Sequence, residues 1–314
     1  MAAPTGSDTP TTPTVADSLV LPPPGDLGLL AIAVVGVCAS GPIMAAVAAP
    51  ALAVAFWRNA LGAGVTVIAA VRVRAFAGLD RRSVLLAVAA GACLALHFGT
   101  WTPSLRLTSV ASATALVCTQ AVFTPLIAML TGARLPRTAW LGVAAAFVGT
   151  AMIAGADFAV SLRALGGDGL AVVGGLAGAM YVTIGGRARQ TMSAAAYTAI
   201  CYAVGAVGLV VACLIGRQAL AGYSMKAWLL IVTVTVCAQL LGHTLLNVVL
   251  RSTSATLLSL ALLLEVPGAA AIAAIWLHQY PSVWAVPGLV LLVGGLAVTI
   301  RSRAVPGPVL ADVD

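Results

Sequence analysis

The stretch LRSTSATLLSLALLLEVPGAA, residues 250–270, decides how this chain is read. It opens on LRSTS, close kin to LRLTS at residues 105–109, and runs on through an apolar body. About 20 consecutive apolar residues are enough for a helix to cross a hydrocarbon core. Inside that body stands Glu265, the only glutamate among 314 residues. A solvated helix would carry several acids. A packed apolar core would carry none, because an unpaired charge in a low-dielectric medium is costly. The stretch therefore reads as a membrane span with an ionisable group at its middle.

The rest of the chain agrees with a membrane setting. Hydrophobic residues make up 61% and charged residues 8%, with a mean hydropathy of +1.08, whereas about 25% charge is usual in soluble domains. The formal charge of +7 comes from basic residues scattered between apolar runs. That is the pattern of membrane loops and not of a basic nucleic-acid face, so no nucleic-acid partner is expected. Lys226 is the only lysine, which excludes a GxxxxGK phosphate loop. The six cysteines (38, 93, 118, 201, 213 and 237) fall within apolar runs without CxxC or Cys/His spacing. They read as small packing residues, and neither a metal site nor a cofactor is expected.

Residues 1–26 are rich in Pro, Thr and Ala, lack the basic start and apolar core of a secretory signal, and are expected to be a disordered tail. Apolar runs follow near 27–47, 51–71, 83–103, 109–131, 137–156, 168–186, 194–215, 227–248, 254–276 and 282–300. With the N-terminus inside, the inner connections and C-terminal tail hold eleven arginines (72, 74, 81, 82, 134, 137, 187, 189, 251, 301 and 303). The outer connections hold four basic residues, Arg106, Arg163, Arg217 and Lys226. Basic residues concentrate on the cytoplasmic side, so both termini are expected in the cytoplasm of a multi-pass cell-membrane protein.

The two LRxTS motifs lie 145 residues apart, and Pro136 and Pro281 share that offset. Gly142 and Gly149 match Gly288 and Gly295 at 146. Each half then holds five helices, and an odd number turns the second half upside down. The expected fold is all-α integral membrane, ten transmembrane helices as two five-helix inverted-topology repeats. The repeats are placed at 27–156 and 157–301, with a short cytoplasmic tail at 302–314.

Ionisable groups within the spans are few: Arg58, His97, His243 and Glu265. Such groups are expensive in lipid and face a bundle interior or a water-filled cavity. The repeat offset makes Gln120 the counterpart of Glu265. Gln239, His243 and Asn247 follow one another at i,i+4, one face of an α-helix. That stripe either ties helices together or lines a cavity. His97, with Trp101 one turn later, is either a packed residue or part of the same cavity. Arg58 either snorkels to the interface or supplies fixed positive charge. Glu265 is either a structural hydrogen-bonded acid or a proton relay of the kind midspan acids supply. Pro267 lacks an N–H and frees the carbonyl of Leu263, and Gly41-Pro42 and Pro125 weaken their helices similarly. Interrupted helices beside a midspan polar group characterise transporter binding sites.

These residues resemble the drug/metabolite transporter superfamily, specifically its EamA-type members, over about 27–301. FWRNAL at 56–61 is similar to the aromatic-Arg start of the family's second helix, and LRLTSVASATAL at 105–116, with Pro125 downstream, to its fourth. GHTLLNVVLRSTSATLLSLALLLEVPGAA at 242–270 resembles the hairpin of helices eight and nine. The chain departs from the family at TGARL, with Ala133 at a usual Glu position, and at LHQYP, with Gln279 there. Val266 splits the common Glu-Pro step, and GAMY at 178–181 stands where relatives often carry Trp. No acid occurs in 27–47, so the first-helix glutamate mechanism of the small multidrug branch does not carry over.

The resemblance implies a secondary transporter of small metabolites, most often an exporter of amino-acid-like or drug-like compounds, and not an enzyme. Its partners would be a small-molecule substrate, the lipid bilayer and protons, with the chain a monomer or a homodimer. Substrate is expected near the midplane between helices three, four, eight and nine. Glu265 would be the proton-linked group, with His243, Asn247, Gln239, Gln120, His97, Trp101 and Arg58 around it. A lipid translocase or scramblase of the same fold is the alternative, and would open the helix-eight stripe sideways to lipid.

Overall fold

The computed structural model describes residues 21–130, 132, 135–154, 161–280, 283 and 285–302, and among them only helices and their connections occur. Most of the expected N-terminal tail and the end of the C-terminal one lie outside the described residues. The first crossing is α1 (Pro24–Cys38) followed by α2 (Ser40–Ala46); α3 (Ala51–Arg72) and α4 (Arg81–Ser104) return and cross again. The fourth is divided into α5 (Val110–Val117) and α6 (Gln120–Leu130), and α7 (Arg137–Ala154) closes the first half. The second half contains α8 (Leu162–Ala188), α9 (Ala194–Ile215) and α10 (Met225–Val234), continued through a π-helical segment at Thr235–Thr244 into α11 (Leu245–Val249). It ends with α12 (Ala255–Ala261), a 3-10 turn at Leu262–Leu264, α13 (Glu265–Leu277) and α14 (Ala285–Arg301).

Among the described residues, eight of these crossings are long and apolar enough to span a membrane, at 21 to 27 residues each. The expected fifth and tenth spans are α7 and α14, of 18 and 17 residues. They fall short of a full span, and the residues 155–160, 281, 282 and 284 that adjoin them lie outside the described residues. The structure thus establishes a multi-pass helical membrane architecture with at least eight spanning helices. The sixth crossing starts earlier than the hydropathy suggests, at Leu162, because the Ser161 hydroxyl accepts from Ala164 N–H and caps it.

The repeated LRxTS motif has a plain structural use. Its final serines, Ser109 and Ser254, are the N-caps of α5 and α12, each accepting from the N–H three residues on. Ser193, Ser224 and Asp80 cap other helices in the same way. The Ser83 hydroxyl and N–H hold the Asp80 carboxyl below its ordinary range.

α7 and α14 pack with their backbones almost touching. A Cβ on Gly149 would lie 2.5 Å from Gly288 O and Leu292 N, and one on Gly295 would lie 2.5 Å from Gly142 O. The sequence of contacts rises along α7 as it falls along α14, so the pair is antiparallel. The Thr299 hydroxyl completes the seam with the carbonyls of Gly295 (2.9 Å) and Ala139 (3.4 Å). In lipid, where no hydrophobic force drives helices together, small residues permit this approach. Gly149→Leu should therefore force the helices apart and cost about 1–3 kcal/mol by overpacking. The check is thermal unfolding in detergent, with Gly166→Leu, which meets open space, as the neutral control.

Candidate functional site

Three helix interruptions meet at one place. Pro42 cannot donate to the carbonyl of Cys38, and α1 ends there. Pro267 likewise leaves Leu263 O without its helical donor, and the chain around it tightens into the 3-10 turn. Pro125 lies inside α6, and its crossing is interrupted at Cys118 and Thr119, one to two turns earlier. Thiols reach the carbonyls on either side of Leu263: Cys38 Sγ donates to Leu264 O (3.8 Å) and Cys118 Sγ to Leu262 O (3.7 Å). Gly268 leaves room for Cys38, whose side chain lies where a Cβ would be.

The interruptions set the depth of the two counterpart residues. Gln120 is the first residue of α6 and Glu265 the first residue of α13. Both are 7% exposed and both line one cavity of about 30 Å³. The carboxylate of Glu265 accepts no hydrogen bond among the described residues. The residue stands at the start of α13, directly after the 3-10 turn whose carbonyls take its backbone N–H.

The remaining walls come from α4, α8 and the eighth crossing. His97 Nδ1 lies 2.9 Å from Gly174 O, so it carries the proton and leaves Nε2 bare. The Trp101 ring is 5.8 Å from that of His97, and its Nε1–H has no acceptor. The His243 ring lies 6.4 Å from His97, 6.3 Å from Tyr181 and 5.4 Å from Phe98. Asn247 spends its N–H groups on the Tyr181 hydroxyl (2.6 Å) and His243 O (2.8 Å). Gly178 keeps the wall thin, since a Cβ there would lie 2.5 Å from Gln120 Oε1.

Arg58 and Gln239 lie apart from this lining. Arg58 is fully buried and does not snorkel. Its Nε donates to Gln239 Oε1 (2.7 Å), another nitrogen donates to Ser40 Oγ (2.8 Å), and its guanidinium sits 4.1 Å from the Phe98 ring centroid. Gln239 Nε2 donates in turn to Asn59 Oδ1 (3.3 Å). The stripe of Gln239, His243 and Asn247 divides because the π-helical segment makes a wider turn than an α-helix. Four residues then no longer return to one face. Gln239 turns to α3, and its carbonyl takes hydroxyls from Thr244 (3.0 Å) and Tyr202 (3.4 Å). Phe98, which separates Arg58 from His243, Tyr181 and Ser40 carry parts of the arrangement that sequence reasoning did not single out. Tyr181 had a signal, as the aromatic that stands in GAMY. Ser40 and Phe98 had none.

Side chains close both ends of the bundle. Arg106, in the connection after α4, donates to Met44, Val47 and Ala49 carbonyls at the end of α2. At the same end, Gln279 Oε1 accepts from Val110 N–H (3.3 Å), so a side chain at a usual family acid position caps a helix start here. Ala133 lies outside the described residues. At the opposite end, Arg189 donates to Asn247 O (2.7 Å) and Met192 O. Burial pulls the Arg189 guanidinium down to about 10, with repulsion from Arg251 adding to it. It remains a cation at neutral pH and an anchor for the wall residue Asn247.

The described residues form a multi-pass helical bundle with polar groups gathered where interrupted helices meet. Residues 165–301 match the EamA-like transporter family, the family that the sequence resembles. The fold also matches a crystal structure described only as "Crystal structure of protein" with a TM-score of 0.71. That match is 17% identical and covers 90% of this chain and 99% of that one; at that identity it speaks for the fold alone. No curated protein matches.

The Arg58 arrangement is testable by stability. Gln239→Leu strands the Nε–H of a buried guanidinium and the Oδ1 of Asn59, and should cost about 2–4 kcal/mol. Gln239→Glu should lose less, because it keeps an acceptor for Arg58. Denaturation of the two variants in detergent, side by side, separates a needed acceptor from mere packing.

Proposed function

We propose that this chain is a secondary carrier of small metabolites, working as an exporter of amino-acid-like or drug-like compounds by alternating access with proton coupling. The observation that carries the reading is Glu265, an acid without a hydrogen bond among the described residues, lining a cavity where interrupted helices meet. Such sites lie near the midplane at the repeat interface of transporters. Glu265 is the proton-linked group, and Gln120 is its uncharged counterpart. His97, Trp101, His243 and Asn247 contact substrate, and Arg58 with Gln239 forms the fixed-charge support behind Phe98.

The ten-helix reading with inverted repeats at 27–156 and 157–301, tails at 1–26 and 302–314, is supported by the packing. Exchanging each crossing with the one five later turns packed pairs into packed pairs. α1 on the π-helical segment becomes α8 on α4, and α1 on α13 becomes α8 on α6. α5 on α7 becomes α12 on α14, while α3 on α9 and α7 on α14 map onto themselves. The repeat also explains why α6 and α13 begin on residues 145 apart. The burial of Glu265, His97, Gln120 and Asn247 inside the bundle gives no support to a polar groove open to lipid.

Two experiments test the proposal. In proteoliposomes screened with a metabolite panel, wild-type protein should move substrate against a pH gradient and acidify or alkalinise the lumen. Glu265→Gln should abolish the pH dependence and most of the flux. Unchanged flux and pH dependence in the folded variant would refute the proton role. For orientation, a cysteine placed at Thr5 should react with an impermeant maleimide in inside-out vesicles and not in intact cells. Labelling in intact cells would reverse the topology.

A further inference from the structure

The turns that follow α4 and α11 are built alike. Arg106 N–H donates to Pro103 O (3.0 Å) and Leu107 N–H to Ser104 O (2.9 Å). At the offset that joins the LRxTS motifs, Arg251 N–H donates to Val248 O (3.4 Å) and Ser252 N–H to Val249 O (2.9 Å). In each turn the arginine is the second residue beyond the helix. Each turn is also met by the start of a long helix from the other half. Gly167 of α8 lies against Leu107, where a Cβ would come within 2.7 Å of the Leu107 Cβ. Asp26 of α1 accepts the Ser252 hydroxyl.

The two arginines are used differently. One terminal nitrogen of Arg106 donates to the carbonyls of Met44 (3.3 Å), Val47 and Ala49 (3.3 Å), at the end of α2 and in its connection to α3. Cations are favoured at helix C-termini, and α2 has no basic residue in its own last turn. Arg251 is exposed, and among the described residues its side chain makes no hydrogen bond. The carbonyl that matches Ala49 O at its end is Met192 O, because Ala49 and Met192 each stand directly before the N-cap of the next helix, Pro50 and Ser193. Met192 O is taken by Arg189, which also donates to Asn247 O (2.7 Å). Arg251 is near enough for its charge to act on the Arg189 guanidinium. One grip is made, and the parts of a second lie beside a carbonyl already occupied.

From this asymmetry we infer that Arg106 and Arg251 are exchanging latches at opposite ends of the bundle. In the state described, Arg106 grips the α2–α3 connection. In the other, Arg251 takes Met192 O in the α8–α9 connection and Arg106 lets go. The exchange rests on the alternating-access reading, since closing one end of two rocking halves opens the other. Charge-assisted bonds to carbonyls are strong enough to bias such a balance. Arg189 then keeps only its bond to Asn247 O, so the exchange also reaches a residue of the cavity wall.

The test is cross-linking of the full chain in detergent with a short bifunctional thiol reagent. Ala48→Cys with Thr108→Cys spans the Arg106 grip, and Gln190→Cys with Ser252→Cys spans the Arg251 turn. Mass spectrometry of the linked peptides separates these links from the six native cysteines. Arg106→Ala should lower the first yield and raise the second, changing their ratio roughly fivefold or more. Arg251→Ala should do the opposite. An arginine that merely braces its own end predicts a fall in the first yield with no rise in the second, and that outcome overturns the exchange. Yields in Arg251→Ala that match those of the parent protein overturn it too. Should either variant not fold, the chain carrying all four cysteines and both arginines supplies the second readout. Molecules holding both links should be roughly fivefold rarer than the product of the single yields; double links at that product refute exchange. Reciprocal yields in a protein that moves nothing in proteoliposomes would sink the carrier reading and leave the latches standing; transport with independent yields would do the reverse.

Discussion

A backbone carbonyl released inside a bilayer has no water to turn to, and the protein must supply its donor. That constraint shapes this structure more than any other. Prolines 42 and 267 remove donors from Cys38 O and Leu263 O, and a 3-10 turn tightens the chain beside the second. The thiols of Cys38 and Cys118 cover the neighbouring carbonyls of Leu264 and Leu262. A thiol is a weak donor, so this closure is serviceable without being rigid. Breaks of this kind survive only where they are buried in protein or line a cavity. Here they do both, and Glu265 and Gln120 stand at the starts of the helices that resume beyond them.

Around that junction the polar groups fall into two sets with different electrostatic roles. Arg58, Ser40, Asn59 and Gln239 form a buried hydrogen-bonded arrangement in which one terminal nitrogen of Arg58 has no hydrogen-bond partner among the described residues. Burying a guanidinium is costly unless its partners are well placed, and the Phe98 face adds a cation–π contact. Glu265, His97, Trp101 and His243 form the second set, with bare acceptors and a free indole N–H facing space. The first set holds α2, α3 and the eighth crossing together, and the second lines the cavity. Phe98 is the partition between them.

Much of the general plan was legible in the chain. Apolar runs, a single midspan glutamate, scattered arginines and prolines inside spans point to an interrupted-helix membrane protein, because lipid penalises polar groups so strongly that the few present stand out. The LRxTS pair was legible as a repeat, and its serines prove to be helix caps. The division of the Gln239, His243 and Asn247 stripe was not legible. It depends on a π-helical segment, and no local residue announces where a helix widens; the carbonyl of Gln239 takes its hydroxyls from Thr244 on the same segment and from Tyr202 on α9. Nor could Arg58 be assigned from its position near a span end, where snorkelling was equally open, until Ser40 and Phe98 appeared beside it.

The amino-acid sequence by itself determined the apolar surroundings, the helical class and the places where helices weaken, since these follow from residue chemistry and from distances along one helix. Only the tertiary structure decided which polar residues meet. It gave Arg58 to Gln239 and Ser40, set His243 against His97, and left the Glu265 carboxylate without a hydrogen bond among the described residues. Those pairings join residues as far apart as Arg58 and Gln239, 181 positions in sequence. They are set by how helices rotate and approach one another, through seams such as Gly142–Gly295, and helix rotation is a property of packing that no single span contains.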